Sequence, residues 1–141
     1  MSQPSRRADY RAFYPIVTRW SDNDPYGHVN NTVYYAWFDT AVNRYLIEAG
    51  VLDIAASPTI GIVAETGCRY RASISYPDDV AIGLRVARIG TSSVRWEAAA
   101  FRAGAETAAA EGHFVHVYVD RATMRPVPIP QAVRAALEQL A

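Results

Sequence analysis

The chain has 141 residues, of which 50% are hydrophobic and 20% are charged. This length suits one domain with one buried core, and the composition excludes the disordered and fibrous classes. Fourteen basic and fourteen acidic side chains cancel, so the chain lacks the global positive field that nucleic-acid binders and membrane-surface proteins usually carry. We therefore expect one domain over residues 1–141, with neither a nucleic-acid nor a membrane partner.

The N-terminus and the single cysteine indicate in which cellular compartment the protein is expected to reside. The first residues contain arginines without an apolar run behind them, and no segment approaches the length of a membrane span. This argues against a secretory signal and a transmembrane helix. Cys68 has no second thiol with which to form an internal disulfide or a zinc site. We expect a cytoplasmic protein and interpret Cys68, which lies in an alternating apolar run, as a buried small hydrophobe.

Hydrophobic periodicity predicts one short strand followed by one long helix. Residues 13–20 are typical of a strand. Over residues 31–50 the apolar positions recur at spacings of three and four, which predicts a helix with one broad apolar face. The residues suited to its ends are Asn30, Asn31 or Thr32 as the cap at the start and Gly50 as the left-handed residue beyond the end.

After the helix the period falls to two, which predicts four strands and then a short helix. The strands cover residues 60–74, 80–86, 94–100 and 114–119, with turns at 76–79, 90–93 and 103–106. Because the connections are hairpin-short, we expect these four strands to be antiparallel neighbours. The amphipathic C-terminal helix, which carries Val133, Ala136, Leu137 and Leu140, should pack on a sheet edge or on a neighbouring subunit. The fold class is α+β.

The stretch SDNDPYGHVNNTVYY, residues 21–35, places acidic and amide side chains directly before the long helix. A helix N-terminus has unpaired N–H groups and a favourable dipole, so it can stabilise the negative oxygen that develops when a carbonyl group is attacked. Gly27 permits a close backbone approach or a positive φ angle, and the N–H of Asn31 or a near neighbour would point at that oxygen. A carboxylate a few residues earlier can attack the carbonyl or deprotonate a water molecule.

The element order is a strand, a D-x-D-P-x-G-H-V-N-N loop, a long aromatic helix and four hairpin-linked strands. It resembles the hot-dog fold, in the branch of acyl-CoA thioesterases similar to 4-hydroxybenzoyl-CoA thioesterase, over nearly the whole chain. The loop motif is carried by Asp22, Asp24, Pro25, Gly27, His28, Val29, Asn30 and Asn31. The resemblance implies a long central helix wrapped by a curved antiparallel sheet, with a short C-terminal helix after it.

The same resemblance implies the activity and the assembly. An acyl-CoA thioester would be hydrolysed to a carboxylic acid and CoA, with Asp24 as nucleophile or general base and Asn31 as oxyanion donor. No cofactor is expected beyond the coenzyme A of the substrate itself. The resemblance further implies a homodimer whose sheets join edge to edge, with active sites at the subunit interface, often paired into a tetramer; an open sheet edge makes such pairing physically reasonable.

Several residues of the loop have a structural interpretation beside the catalytic one. Asp24 followed by Pro25 can start a turn, but the surrounding motif favours catalysis. Asp22 is better suited to hydrogen-bond the loop backbone than to react. His28 is interpreted as structural or substrate-positioning, and Asn30 as a helix cap that also shapes the oxyanion site.

Further residues are predicted to hold the substrate or to form ion pairs. The predicted substrate-binding residues are Gly27, His28, Val29, Asn30, Tyr34, Tyr35, Arg88 and Arg95, with Arg102 as a third arginine that could bind CoA phosphates. For each arginine, a solvated surface charge is the stronger interpretation. Glu65 is interpreted as an exposed ion pair with the nearby Arg69 and Arg71. His113 and His116 should face opposite sides of a strand and cannot chelate one metal together, so we expect no metal site.

Two other functions remain open at this point. A hot-dog enoyl-CoA hydratase or dehydratase would need an Asp/His pair at the helix entrance, which Asp24 and His28 superficially offer. The hydratase signature places its histidine differently and lacks the G-H-V-N-N run, so this function ranks second. A non-catalytic acyl-thioester binding protein ranks third, because hot-dog regulators normally carry a DNA-binding extension for which this chain has no room. The identity of the acyl group stays open.

Overall fold

Five antiparallel strands form one curved sheet in the computed structural model, which describes residues 2–141. The elements in chain order are β1 Ala12–Val17, α1 Asn31–Glu48, β2 Thr59–Tyr70, β3 Asp79–Ile89, β4 Ser93–Arg102, β5 Ala110–Asp120 and α2 Gln131–Glu138. The predicted α+β class and hot-dog arrangement are confirmed. The first strand ends three residues earlier than predicted and β2 ends at Tyr70, four residues before the predicted boundary.

Helix α1 lies across one face of the sheet and supplies much of the core. Its buried side is the apolar stripe that the spacing predicted, formed by Tyr34, Trp37, Phe38, Ala41, Val42 and Leu46. The helix begins where the side chain of Asn30 accepts a hydrogen bond from the Thr32 N–H, and it ends before Gly50, whose φ of 74° is left-handed. The predicted caps are therefore confirmed.

The strand order differs from the prediction. The sheet runs β1-β3-β4-β5-β2, so β2 pairs with β5 and is not a neighbour of β3. The turn at residues 76–79 is present, but the chain between β2 and β3 first crosses the end of the sheet past the loop that precedes α1. There the buried Ile74 accepts a hydrogen bond from the Val29 N–H. The turn at residues 76–79 therefore ends a crossover connection between β2 and β3, and it does not form a hairpin.

The two edges of the sheet are formed differently. On one side β1 is the edge strand, and it contains Pro15, which has no N–H to offer. Strand β3 extends past the N-terminal end of β1. There the chain after α2 covers it, because the Val86 N–H donates to the Leu140 carbonyl. On the other side β2 is the edge strand, and Val63 on it is 49% exposed. The predicted packing of the C-terminal helix on a sheet edge is confirmed.

Two interpretations of side chains on β2 need correction. Glu65 forms the predicted exposed ion pair, but with Arg95 on β4 at 4.0 Å and not with Arg69 or Arg71. Arg69 and Arg71 are four and six residues further along the chain, so they lie roughly 13 Å or more away from Glu65. Its carboxylate lies 2.9 Å from His113 Nε2 across the β2–β5 pair. Cys68 is half-buried rather than buried, because an edge strand is only partly covered. Burial raises the pKa of its thiol, so it is not activated as a nucleophile.

Helix α1 and the sheet approach each other tightly at Gly112. An ideal Cβ at this position would lie 2.5 Å from Cε2 of Phe38, a fully buried residue. We expect Gly112→Val to lower the free energy of unfolding by roughly 2–3 kcal/mol, because a packed core tolerates added atoms poorly. Urea unfolding of wild type and variant would measure this loss.

A second variant identifies the cause of that destabilisation. Phe38→Leu should shorten the side chain that collides with the new valine. The double variant should then be more stable than the sum of the two single effects predicts. Strict additivity would mean that Phe38 is not what restricts residue 112.

Candidate active site

The loop between β1 and α1 is held from within by a buried carboxylate. Asp22 is 1% exposed and accepts hydrogen bonds from the Arg19 N–H at 2.7 Å and from the Arg19 guanidinium at 2.8 and 3.0 Å. The Asp22 carbonyl accepts the Asn30 N–H at 2.9 Å. These bonds confirm that Asp22 stabilises the loop.

The loop is also held from outside by the crossover between β2 and β3. The Ser75 hydroxyl donates to the Gly27 carbonyl at 3.0 Å, and the Tyr76 N–H donates to Asn23 Oδ1 at 3.0 Å. The Val29 N–H donates to the Ile74 carbonyl at 2.8 Å. These contacts join segments about fifty residues apart, so sequence spacing alone carried no signal for them.

A tight turn at Gly27 presents the second aspartate of the motif. The Asp24 N–H donates to the His28 carbonyl and the Gly27 N–H donates to the Asp24 carbonyl. Gly27 has a φ of 84°, which a residue with a side chain would adopt only with strain. The predicted need for glycine at this position is confirmed.

The Asp24 carboxylate is half-buried and only lightly engaged. One oxygen accepts the Tyr26 N–H at 2.9 Å, and the other lies 3.3 Å from the Asn30 side-chain amide. Among residues 2–141 it has no cationic partner within salt-bridge distance. An oriented carboxylate with free lone pairs can act as a base or as a nucleophile.

The start of α1 lies directly after this carboxylate. Asn31 is the first helical residue, and its N–H donates to none of the described residues, whereas the next N–H is taken by the Asn30 side chain. The Tyr70 hydroxyl donates to the Asn31 carbonyl at 2.9 Å and fixes this turn against the end of β2. Asn31 therefore offers a free donor at the positive end of a helix of 18 residues.

Tyr70 is a site residue that the sequence did not single out. Burial raises the pKa of its hydroxyl, and the neighbouring Cys68 and Tyr35 raise it further, so the group stays a protonated donor. Its ring also packs edge-on against Tyr34 at 5.2 Å. The sequence placed Tyr70 inside a strand predicted to run to residue 74, and a position inside a strand does not reveal which loop the side chain contacts.

The remaining predicted site residues on the loop and on α1 take different positions. His28 is exposed, while Val29 and Tyr34 are buried in the core beneath the loop. Tyr35 is half-buried and packs edge-on against Phe114. Their contacts with a substrate stay predictions. The exposed Trp20 and Tyr76, which also pack edge-on, are further aromatic side chains beside this loop.

With this geometry in view, comparisons with known proteins identify the family. A family model described as the thioesterase-like superfamily matches residues 18–137. The chain belongs to the thioesterase-like superfamily. This assignment confirms the resemblance on which the loop motif was interpreted.

Solved structures of similar proteins support the superfamily assignment. The PA5185 protein from Pseudomonas aeruginosa strain PAO1 is 54% identical, with a TM-score of 0.95 over 98% of this chain and 96% of that chain. Gentisyl-coenzyme A thioesterase BH1999 is 25% identical, with a TM-score of 0.78 over 89% and 99%. A thioesterase from Thermus thermophilus, complexed with coenzyme A and Zn, is 30% identical, with a TM-score of 0.79 over 94% and 95%. A comparison with curated proteins gives no match.

Two of the three arginines predicted to bind CoA phosphates, Arg88 and Arg95, lie on the face of the sheet that is opposite α1, whereas Arg102 pairs with Asp78 at 3.2 Å at the end of β4. Arg88 and Arg95 are direct cross-strand partners on β3 and β4, and Trp96, the residue after Arg95, points the other way, against the helix. Arg95 donates to Glu97 at 3.4 Å. Neither arginine contacts the Asp24 carboxylate of its own chain, so their role in CoA binding stays a prediction.

The two histidines of β5 lie on opposite faces of the sheet, as their spacing predicted. His116 is buried under α1, whereas His113 faces the other side and contacts Glu65. Over the described range 2–141, no group of three or more His, Cys, Asp or Glu is placed to hold a metal ion. In the same range no helix has both the length and the hydropathy needed to cross a membrane.

Proposed function

We propose that this chain is an acyl-CoA thioesterase in which Asp24 is the nucleophile or general base and the Asn31 N–H is the oxyanion donor. The observation that carries the proposal is one junction between loop and helix. At this junction the Asp24 carboxylate has no cationic partner and the Asn31 N–H has no acceptor among residues 2–141. Membership of the thioesterase-like superfamily supports the same reaction class.

Asp24 can act in thioester hydrolysis by two routes, as a general base or as a nucleophile. As a base, Asp24 takes a proton from water while the water oxygen bonds to the carbonyl carbon, and the Asn31 N–H stabilises the oxyanion. Collapse of this intermediate breaks the C–S bond, and the thiolate of CoA leaves and is protonated. As a nucleophile, Asp24 first displaces the thiolate to form an anhydride, which water then hydrolyses. Both routes need the same carboxylate in the same place.

Two similar structures support coenzyme A as the thiol of the substrate. One is named a gentisyl-coenzyme A thioesterase, and another is a thioesterase complexed with coenzyme A. The acyl group of the present substrate is not carried over from either protein. The loop motif and the helix N-terminus act on the thioester itself, which all such substrates share.

The hydratase alternative loses its main support at the same loop. It requires the side chains of Asp24 and His28 to work as a pair. The hydrogen bonds of the Asp24 carboxylate go to Tyr26 and Asn30, and the contact with His28 is between backbone atoms. Hydrolysis is therefore the better-supported reaction.

We further propose that two copies join through β2. The strand is twelve residues long, forms one edge of the sheet and presents unpaired backbone groups there. Light scattering should give a mass of twice 15.6 kDa or a multiple of it. A monomer at micromolar concentration would contradict this assembly.

The test of the activity is release of free thiol from aromatic, short-chain and long-chain acyl-CoAs. Hydrolysis that disappears in Asp24→Ala and survives in His28→Ala would support the proposed roles. If no thioester is cleaved, or if Asp24→Ala keeps full activity, the assignment is wrong. Enoyl-CoA hydration, followed by loss of the enoyl absorbance, then becomes the next assay.

A further inference from the structure

A cleft lies on the face of the sheet that is opposite α1. It has a volume of about 480 Å³, and residues of β2, β3, β4 and β5 and of the N-terminal segment line it. This volume is within the range of sites that bind small molecules. The charged side chains of the lining are Arg69, Arg71, Arg85, Arg95, Glu97 and Glu111.

The cleft is positively charged although the chain as a whole is neutral. Four arginines against two glutamates leave an excess of two positive charges in the lining, with histidine neutral. A concave surface with charges of one sign concentrates the electric field and raises the local concentration of counter-ions. The ligand class that suits this cleft is therefore an anion.

Two of the four arginines already have a carboxylate of their own. Arg71 donates to Glu111 at 2.6 Å, and Arg85 donates to Glu97 at 2.8 Å. The second carboxylate oxygen of Glu111 accepts the Ser5 N–H at 2.9 Å. These bonds occupy both glutamates of the lining and hold the walls of the cleft in place.

The other two arginines, Arg69 and Arg95, have no carboxylate of their own. Within residues 2–141 Arg69 forms no ion pair, and its guanidinium hydrogen-bonds only to the Ser2 hydroxyl, at 3.5 Å. Arg95 lies 3.4 Å from the Glu97 carboxylate, which is already paired, and 4.0 Å from Glu65. A guanidinium group presents a planar fork of N–H donors that matches phosphate oxygens, so each of these arginines can still bind a phosphate group.

The register of the sheet separates these two arginines along the cleft. Arg69 on β2 lies beside Glu111 on β5, which in turn lies beside Ala99 on β4. Arg95 precedes Ala99 by four residues on β4. The Cα atoms of Arg69 and Arg95 are therefore about 10 Å apart across the strands and about 13 Å apart along them. This separation suits a ligand with an anionic group at each end better than a single small anion.

The floor and one wall of the cleft are already packed in the ligand-free protein. The His113 ring lies over β2, where an ideal Cβ at Gly67 would be 2.7 Å from its Cε1 atom. The wall is the N-terminal segment, in which Tyr10 packs edge-on against Phe101 at 5.8 Å and the Arg85 guanidinium lies 4.8 Å from the Tyr10 ring centre. A preformed site binds its ligand without the cost of ordering these side chains.

We propose that this cleft binds a small molecule with two separated phosphate groups, one held by Arg69 and the other by Arg95. The sheet lies between the cleft and α1, and pairing through β2 would cover the edge of that strand and not its faces. The site is consequently separate from the one assigned to the thioester. This inference does not depend on the thioesterase proposal. It gives Arg95 a role other than the contact with CoA that the sequence predicted.

Calorimetry at fixed ionic strength tests the proposed binding with bisphosphates of different length. The probes are the bisphosphates of 1,4-butanediol, 1,6-hexanediol and 1,8-octanediol, each compared with the butyl, hexyl or octyl monophosphate. At least one bisphosphate should bind wild type about tenfold or more tightly than its monophosphate, because it adds a second charge-assisted contact. Arg69→Gln and Arg95→Gln should each remove most of this advantage. If no bisphosphate binds more tightly than its monophosphate, the proposal is wrong.

An arginine outside the cleft provides the matched control. Arg125 is exposed in the segment after β5 and does not line the cleft. Arg125→Gln removes the same charge from the chain and should leave the advantage of the bisphosphate unchanged. An equal loss in all three variants would mean that the ligand responds to net charge and not to the cleft, which would overturn the assignment.

Binding of coenzyme A distinguishes a separate ligand from the substrate, because CoA carries phosphate groups of its own. Calorimetry with CoA should give the same result for wild type, Arg69→Gln and Arg95→Gln. A loss of CoA affinity in the variants that lose the bisphosphate would mean that the cleft holds the nucleotide end of the substrate, and it would overturn the separate site. Thiol release that still depends on Asp24 would in that case leave the proposed function standing.

The opposite combination of results would overturn the proposed function alone. In that case bisphosphate binding would require both Arg69 and Arg95, and no acyl-CoA would be hydrolysed. The cleft would then stand as a binding site in a protein without thioesterase activity.

Discussion

Asp24→Asn is expected to lower kcat on the best acyl-CoA substrate by roughly a thousandfold. The amide retains an oxygen that can accept the Tyr26 N–H, so the turn should persist while the group loses its ability to remove a proton or to attack a carbonyl. A thousandfold loss corresponds to about 4 kcal/mol in the activation barrier. Because the carboxylate has no salt bridge within the described part of the chain, the variant should unfold at nearly the wild-type urea concentration.

A distant acid serves as the control for this variant. Glu138 is exposed on α2, outside the loop that carries Asp24, so Glu138→Gln should leave kcat unchanged. Single-turnover measurements would show whether the loss lies in the chemical step. A kcat within tenfold of wild type for Asp24→Asn would mean that another group supplies the base or nucleophile.

The second prediction with a large effect on kcat concerns the backbone N–H of residue 31, which a proline substitution removes. Asn31→Pro removes the N–H that we assign to the oxyanion and should lower kcat by about a hundredfold, the usual effect of losing one such donor. Proline is well tolerated at the first helical position. The preceding Asn30 already has φ −63° and ψ 143°, which is the conformation that proline requires before it. The fold should therefore survive.

Asn31→Ala is the matched control, because it removes the same side chain and keeps the N–H. We expect Asn31→Ala to retain kcat within a few-fold, and both variants to unfold within about 1 kcal/mol of each other. The carbonyl of residue 31 remains available to the Tyr70 hydroxyl in both. Equal activity of the proline and alanine variants would remove residue 31 from the oxyanion site.

Local sequence signals predicted the part of the site that lies on one continuous segment. The three-and-four spacing located α1, and Asn30 and Gly50 marked its ends, because capping depends on residues a few positions apart. Gly27 was predicted in the same way from the conformation that a tight turn requires. The order of residues along the loop therefore carried most of the information about the junction of loop and helix.

Features that depend on non-local pairing could not be obtained from the same signals. Antiparallel pairing of β2 with β5 rather than β3 depends on where the crossover passes, and the turn residues at 76–79 do not encode that path. The partner of Glu65 followed from this pairing and was therefore wrongly assigned. His116 could be placed on one face of a strand by alternation, but its burial depends on three elements packed around it.

The unequal edges of the sheet also determine how far the sheet can be extended by added strands. A strand added beside β1 would meet Pro15, which cannot donate, and the neighbouring stretch of β3 already donates to the Leu140 carbonyl. Within the described residues, only β2 offers a long run of free backbone groups. When two copies join through β2, each covers the free β2 edge of the other. The joined sheet then has no long free edge left for a strand from a third copy. The proposed pairing through β2 would therefore protect the protein against open-ended, fibre-like addition of strands at the sheet edge.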